Sequence, residues 1–496
     1  MQIYIKNRYR SAYHTPLVSL NNPHIARPLG VNLPLSNQVE VRSEGPNILM
    51  VMSDQHRGDW MGCAGASWLR TPNMDRLARD GVMFTRAACN SPVCAPSRSI
   101  LASGLRGSHV GVLSNGDLYP LDVPTYYQVL RSGGYRVGCV GKTDLHKRDH
   151  WEGIRGDRPV MYHLGFTDPL ETEGKCSAAR YTSPPVCPYT HYLHENGLAQ
   201  AFHDDYKNRS PVYKGRDSVL PLHAYHDDFV GRKACEFLES VGDENPWHYF
   251  VSFVGPHDPW DAPSEYSQRY DPEDMPDAIE DPWENKPKPM RSVRHGVRTS
   301  RLVEGMTPED LMESMRQYAG MITLVDDYLG RFVGVLEDRG MLENTVIIYT
   351  SDHGEMMGDH RLFGKCTYYE SSLRVPLIFK GPGIRSGVQS DDLVQLADSA
   401  PTILDLAGLD CPFPVDSSSL MPILTGNGAW ERDFQVSELT TSRTFFDGRY
   451  KYSEYDDNGS ELYDLEKDPE EITNLVRDDS DRSEKMMDRL HSIIGS

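Results

Sequence analysis

The chain has 496 residues, 39 % hydrophobic and 25 % charged, and its 72 acidic against 51 basic residues give a formal net charge of −21. That balance excludes a mainly disordered chain, and the acidic excess argues against a general binder of nucleic acid or of anionic membranes. No apolar run approaches the 18 or so residues of a membrane span, and at roughly 150 residues per domain the length suits two to four domains, or one large one with an appendage.

Residues 1–46 read as an extended polar arm that carries Lys6, Arg8, Arg10, Arg27 and Arg42. Its first twenty residues show neither the apolar stretch nor the small-residue cleavage site of a secretory signal. The expected location is therefore the cytoplasm, or the periplasm or exterior if this is a trimmed piece of an exported protein. Nine cysteines, odd in number and without a CxxC pair, favour reduced thiols.

The body opens with Asn47–Met52, an apolar run read as a buried strand that stops at Ser53-Asp54-Gln55-His56. The pattern recurs along the chain. Thr125–Arg131 is helical in spacing and Gly133-Gly134 ends it; Tyr135–Val140 is then a strand running into Gly141-Lys142. Trp247–Val254 is a strand running into Gly255-Pro256-His257-Asp258. Between Met321 and Leu336 apolar residues keep the spacing of a half-buried helix. Thr345–Thr350 is a strand ending in Ser351-Asp352-His353. From about residue 390 the texture changes: Leu393–Leu406 is helical around Pro401, and Arg449–Glu454 with Glu461–Leu465 reads as a hairpin across Asp-Asp-Asn-Gly.

Buried strands alternating with helices predict an α/β fold. Residues 47–390 would form a large mixed, mostly parallel sheet sandwiched by helices, and 391–496 a smaller α+β subdomain. In such sheets ligands lie outside the carboxyl ends of the strands. Four strand ends deliver Asp54/Gln55, Lys142, His257 and Asp352/His353. Each alone reads as a solvated loop; together they make a site.

Asp54, Gln55, Asp352 and His353 offer oxygens and one imidazole, a donor set for Ca²⁺ or Mg²⁺ rather than Zn²⁺. A competing reading keeps the two aspartates as caps of following helices. Cys94 stands in Ser91-Pro92-Val93-Cys94-Ala95-Pro96-Ser97-Arg98, beside an arginine and ahead of a helix, the setting of a thiol with lowered pKa. The same residues spell C-x-P-x-R, the sequence at which cysteine is oxidised to formylglycine, and continue as Ser99-Ile100-Leu101-Ala102-Ser103-Gly104.

With these segments in hand the chain resembles the type I, formylglycine-dependent sulfatases of the alkaline phosphatase superfamily, from Asn47 to about Asn474. The landmarks fall in order: NILMVMSDQ at 47–55, TPNMDRLARDGVMF at 71–84, CNSPVCAPSR at 89–98 and GYRVGCVGK at 134–142. GPHDPW at 255–260, SDHGEMMGDHRLFGK at 351–365, RVPLIFKGPG at 374–383, APTILDLAG at 400–408 and ELYDLEKDPEEITNL at 461–475 complete the series. The surroundings of Cys94 and the Asp-Gln pair are most similar to the choline-sulfatase and phosphonate-hydrolase side of the family.

The resemblance implies an alkaline-phosphatase-like fold and hydrolysis of an O-sulfate ester. Cys94 would be converted by a formylglycine-generating enzyme; the aldehyde hydrate would attack sulfur, and the sulfated intermediate would collapse to release sulfate. Arg98 would hold the nucleophile, Lys142 and Lys365 the sulfate, and His257 would protonate the leaving oxygen. Asp54, Gln55, Asp352 and His353, together with residue 94, would bind Ca²⁺ or Mg²⁺. A cation with Lys and Arg suits the charge of an in-line displacement, and an alkoxide leaving group needs an acid such as His. Two departures stand out. The family's Lys-x-His becomes Lys142 followed only at the fourth position by His146, and Asp-Asp and Asp-Asn become Asp54-Gln55 and Asp352-His353.

The expected substrate is a sulfated mono- or oligosaccharide, because a net charge of −21 disfavours long polyanions. A phosphonate monoester or phosphodiester hydrolase and a choline or aryl sulfatase are alternatives, as is a non-catalytic sugar- or anion-binding relative. Oligomers are compatible with the sequence. Residues 150–225, rich in Tyr, His and Pro, read either as an overhang that stacks on sugars or as a surface insertion with its own core. Asp271–Arg301 reads as a second rim or a mobile loop. Lys147, Arg148 and Arg361 read as carboxylate ligands or as solvated charges.

Overall fold

The computed structural model describes residues 45–147, 153–180, 182–209, 213–282, 286, 301–302, 306–456 and 459–495. The arm through residue 44, Arg148 and most of the stretch from 283 to 300 lie outside them.

The described residues form fourteen strands, in chain order β1 (Asn47–Asp54), β2 (Val82–Phe84), β3 (Arg136–Gly141), β4 (Asp168–Glu171), β5 (Trp247–Pro256), β6 (Arg301–Leu302), β7 (Thr345–Ser351), β8 (Leu362–Phe363), β9 (Leu377–Lys380), β10 (Val388–Ser390), β11 (Gln435–Leu439), β12 (Ser442–Phe446), β13 (Tyr450–Tyr455) and β14 (Gly459–Asp464). Eight form one sheet in the order β10-β2-β9-β7-β1-β5-β3-β4. All neighbours pair in parallel except β9, which runs against β7 and β2.

Every residue of β1, β5 and β7 is buried, because helices cover both sheet faces. Along β1 the side chains alternate between two cores: Leu49 and Val51 enter one, Ile48, Met50 and Met52 the other. Burying such a side chain contributes about 1.5–3 kcal/mol, so a one-residue slip of the central strand would move its whole apolar set to the wrong face. The periodic stretch Met321–Leu336 lies within a helix spanning Pro308–Asp338, which packs on the helix His226–Ser240 and on β5. No helix among the described residues is long and apolar enough to cross a membrane.

The described residues between 153 and 225 belong to this body. They supply β4, the edge strand, and the helices Lys175–Arg180, Pro188–Glu195 and Ala199–Lys207. Tyr189, Phe202 and Tyr225 are buried in the core with Phe229, so these rings are used for packing and are not displayed for sugars. The helix expected from Leu393 begins only at Ser399, after a short 3₁₀ turn, and Pro401 sits in its first turn, where no N–H is needed.

Strands β11–β14 form a separate antiparallel sheet, with β13 and β14 as the expected hairpin. Val436, Phe445, Tyr452 and Leu462 share a small core with Met486 and Leu490 of the terminal helix Ser480–Ile494. This sheet also braces the segment ahead of Cys94: the Glu438 N–H donates to the Asn90 carbonyl at 2.9 Å, and Ser91 Oγ donates to the Glu438 carbonyl at 2.7 Å.

Candidate active site

Parallel strands place their carboxyl ends at one edge, and the order β7-β1-β5-β3 sets four such ends side by side, about 4.8 Å apart from strand to strand. Asp54 closes β1. Gln55 then takes a left-handed backbone, φ 70°, which a side chain with a Cβ adopts only when its surroundings hold it there. Its N–H donates to Asp352 Oδ1 at 3.0 Å, and its carbonyl accepts from the Tyr318 hydroxyl at 2.6 Å. Neither aspartate caps a helix, since none follows directly on Asp54 or Asp352. That reading gives way to side chains gathered around Cys94.

Beyond β3, Gly141 has φ 98°, and a Cβ there would sit 1.9 Å from the Ser252 carbonyl oxygen. Only glycine lets the chain pass β5 this closely and deliver Lys142, whose N–H donates to that carbonyl at 3.2 Å. Cys94 is the first residue of the helix Cys94–Ser103 and is fully buried.

The thiol is the hub. Lys365 Nζ donates to Cys94 Sγ at 3.0 Å, His353 Nε2 lies 3.3 Å away, and Asp54 Oδ1 lies at 3.9 Å. The His257 ring is near enough to help hold the thiol's pKa down. One ligating atom from each of Asp54, Cys94, Asp352 and His353 falls within 4.8 Å of all the others. Arg98 spans the two carboxylates, with Nε on Asp352 Oδ2 at 2.8 Å and Nη2 on Asp54 Oδ2 at 3.2 Å, and reaches Ser252 Oγ at 2.8 Å. Lys142 Nζ donates to Asp54 Oδ2 and stands 3.0 Å from Asp144 Oδ2.

These contacts set the charge states. Burial pushes the Cys94 thiol up, but Lys142, Lys365, His353 and His257 outweigh it and hold the group well below the usual cysteine range. Burial and Cys94 likewise push Asp54 up, and Lys142, His257 and Lys365 bring it below the ordinary carboxylate range. Burial works against the Lys142 ammonium, yet Asp144, Asp54 and Cys94 raise it well above normal.

Two orientations suit a cation. His353 Nδ1 sits 2.9 Å from the Gly354 carbonyl and donates to it, so Nε2 faces the centre and is the nitrogen that a cation would take. Gln55 donates its Nε2 to Glu355 Oε2, which leaves Oε1 on the site side, 2.6 Å from Lys365 Nζ. Carboxylate and amide oxygens with one imidazole are the donors of a hard-cation site, and the residues present fit one. His257 is arranged differently. Its Nδ1 donates to the Asp258 carbonyl at 2.6 Å, so Nε2 is the nitrogen that takes and gives a proton.

The structure thus gathers Asp54, Gln55, Cys94, Arg98, Lys142, His257, Asp352, His353 and Lys365. His146 stands outside the ligating group, half-buried, its carbonyl accepting from Arg158 Nη1 at 3.0 Å. The third position of the family's Lys-x-His is taken by Asp144, which pairs with both Lys142 and Lys147. Lys147 is therefore tied to a site carboxylate, and Arg361 is exposed. Sequence reasoning passed over Glu355, although it lies within SDHGEMMGDHRLFGK: its carboxylate orients Gln55, and Oε1 accepts from Met357 N at 3.0 Å and Gly364 N at 2.6 Å, fixing the turn before Lys365. Ser252 and Asp227 were also missed. Asp227 Oδ1 accepts the N–H groups of Val254 and Gly255 at 2.9 and 3.1 Å, just ahead of His257.

Known proteins are similar to this chain over most of its length. The family profile described as Sulfatase matches residues 46–409, and that of the N-sulphoglucosamine sulphohydrolase C-terminal region matches 358–495. An arylsulfatase of Clostridium perfringens is 29 % identical over 462 residues, covering 90 % of this chain and 93 % of its own. An N-acetylglucosamine-6-O-sulfatase of Bacteroides thetaiotaomicron is 26 % identical, covering 89 % and 84 %. Among solved structures, the phosphonate monoester hydrolase of Agrobacterium radiobacter superimposes with a TM-score of 0.75 at 28 % identity, covering 90 % and 95 %.

Proposed function

The chain belongs to the sulfatase family and is a sulfuric ester hydrolase; from that premise we propose that it cleaves an O-sulfate ester of a mono- or oligosaccharide at residue 94, after conversion of Cys94 to formylglycine by a maturation enzyme. The observation that carries this reading is the single buried cluster that joins Cys94 Sγ to Lys365, His353, His257 and Asp54. Sγ stands where the nucleophilic oxygen of the matured residue would stand. The matured side chain, a hydrated aldehyde, supplies a nucleophilic hydroxyl with a second hydroxyl on the same carbon. Asp54, Gln55, Asp352 and His353 would hold Ca²⁺, which supplies charge neutralisation for the sulfate oxygens and the nucleophile.

The chain's own residues do the rest. Lys142 and Lys365, both held as ammonium groups by neighbouring anions, offer fixed positive charge to an incoming sulfate. Arg98 keeps the two ligand carboxylates in place through its bonds to Asp54 and Asp352. His257 delivers a proton from Nε2 to the departing sugar oxygen, with Nδ1–H locked on Asp258.

The test is sulfate release, followed by ion chromatography, from sulfated oligosaccharides, choline sulfate and 4-nitrophenyl sulfate. The protein is co-expressed with a formylglycine-generating enzyme and conversion of residue 94 is read by mass. Release from a saccharide, lost in Cys94→Ala, supports the proposal. No release from any saccharide by converted protein would sink the carbohydrate assignment. The likeness to a phosphonate monoester hydrolase favours a second reading, and faster turnover of phenylphosphonate than of every sulfate ester would establish it.

A further inference from the structure

Outside the cluster at Cys94 there is a cavity of about 200 Å³ whose lining includes Cys176, Arg180, His203, Lys207, Arg209 and Pro259. Its wall holds three permanent cations and a histidine and no acid, which is anomalous in a chain of net charge −21. Arg209 is the inner group, only 8 % exposed. Its Nε donates to Asp205 at 2.9 Å and its Nη2 to Asp261 at 3.4 Å, while Nη1 is buried and meets no hydrogen-bond acceptor among the described residues. A buried donor left without an acceptor costs about 1–3 kcal/mol, more for a charged group, so an acceptor brought by a ligand would relieve it. Arg180 and Lys207 are exposed and form no ion pair among the described residues.

The cavity adjoins the reaction centre. Pro259 is two residues from His257, no more than about 7.6 Å between Cα atoms. Cys176 stands two residues after Gly174, at which a Cβ would sit 3.5 Å from Lys142 Cδ and Cε. Cys176 Sγ also lies 3.9 Å from the Asp258 carbonyl on which the His257 ring is locked. A site of this volume takes one small charged group or a single ring, not a whole oligosaccharide.

We propose that this cavity is an anion subsite that receives a second carboxylate or sulfate group of the substrate, so that the preferred ester carries a further negative charge near the sulfate that is cleaved. The inference rests on the sulfatase reading above. Arg209 caps the anion from inside and Arg180 with Lys207 closes on it from the mouth.

The test compares N-acetylglucosamine 6-sulfate, which has no second anion, with glucosamine 2-N,6-O-disulfate and with a 6-sulfated glucosamine joined to a hexuronate. Replacing Arg209 endangers the fold, so the variant is Arg180→Ala with Lys207→Ala, both at exposed positions. The expected result is a roughly tenfold higher KM for one or both dianionic substrates, with the mono-anionic ester and 4-nitrophenyl sulfate unchanged; which dianion responds tells sulfate from carboxylate. Equal effects on all substrates, or no effect, overturn the subsite. Calorimetry of the same sugars on full-length Cys94→Ala protein keeps the two readings apart. Should wild-type protein release no sulfate at all, the function fails, and the subsite is still judged by whether the dianions bind more tightly and lose that advantage in the double variant.

Discussion

Glu355→Gln should impair cation binding while leaving the fold intact, through the orientation of one amide. In the structure Glu355 Oε1 accepts two backbone N–H groups, Met357 at 3.0 Å and Gly364 at 2.6 Å, and Oε2 accepts Gln55 Nε2. In the variant the new amide oxygen keeps the backbone pair, and its NH₂ faces the NH₂ of Gln55. Two donors in contact are relieved by turning the Gln55 amide over. That rotation removes Oε1 from its place 2.6 Å from Lys365 Nζ and presents NH₂ to the cluster. A cation site that loses a supporting partner of a ligand weakens about 10–100-fold, or roughly 1.4–2.7 kcal/mol. The assay is calorimetric titration of Ca²⁺ into metal-free protein, with sulfate release measured across the same Ca²⁺ range. Activity should return at saturating Ca²⁺. Adding Gln55→Glu to the variant should restore affinity, because a carboxylate at position 55 can accept from the new amide at position 355 and still offer an oxygen to the cation. A Ca²⁺ affinity within twofold of wild type in Glu355→Gln would refute the reasoning.

Other outcomes follow from the same geometry. His257→Ala should lower sulfate release from sugar esters by about 10²–10⁴-fold but that from 4-nitrophenyl sulfate far less, since nitrophenolate needs no proton; equal losses on both esters would count against His257 as the acid. Gly141→Ala forces a side chain into left-handed backbone 1.9 Å from the Ser252 carbonyl. It should cost about 1–3 kcal/mol or more and displace Lys142, which thermal denaturation and KM for sulfate esters would show. Asp326 is buried, and although it accepts N–H groups of Asn73 and Met74, burial pushes its pKa up to about 7. A folded-state pKa above the unfolded one means that stability is fully present below about pH 4 and is lost as pH rises through about 7. The loss is about 4 kcal/mol at most, and the wild-type minus Asp326→Asn difference in Tm should decline across that window and be flat outside it.

The residues at the strand ends were legible because each sits where a local pattern breaks: the apolar run of β1 stops at Asp54-Gln55, that of β7 at Asp352-His353, and Gly141 interrupts before Lys142. Local spacing also exposed the long helix around Met321–Leu336 and the hairpin of β13 and β14. Cys94 and Arg98 were visible as a contiguous motif. The insertion was less legible. Its Tyr and His content reads equally well as a sugar platform, and only the packing of Tyr189, Phe202 and Tyr225 against Phe229 settles their use.

By itself, then, the sequence determined the α/β class, the identity of the chemically active side chains and the family, all of which rest on residues close together in the chain. The tertiary structure alone decided three things. It set the strand order β7-β1-β5-β3, which brings residues 54, 142, 257 and 352 to one sheet edge across some three hundred positions, and it set the helix Cys94–Ser103 so that Cys94 meets them. It decided which way the Gln55 amide and the His353 and His257 rings point. It also placed Arg180, Lys207 and Arg209 around one cavity in an acidic protein. The physical reason is common to all three: pairing order, amide orientation and cavity lining depend on partners distant in sequence, chosen by burying both faces of the sheet and by satisfying buried donors, and no local pattern carries that choice.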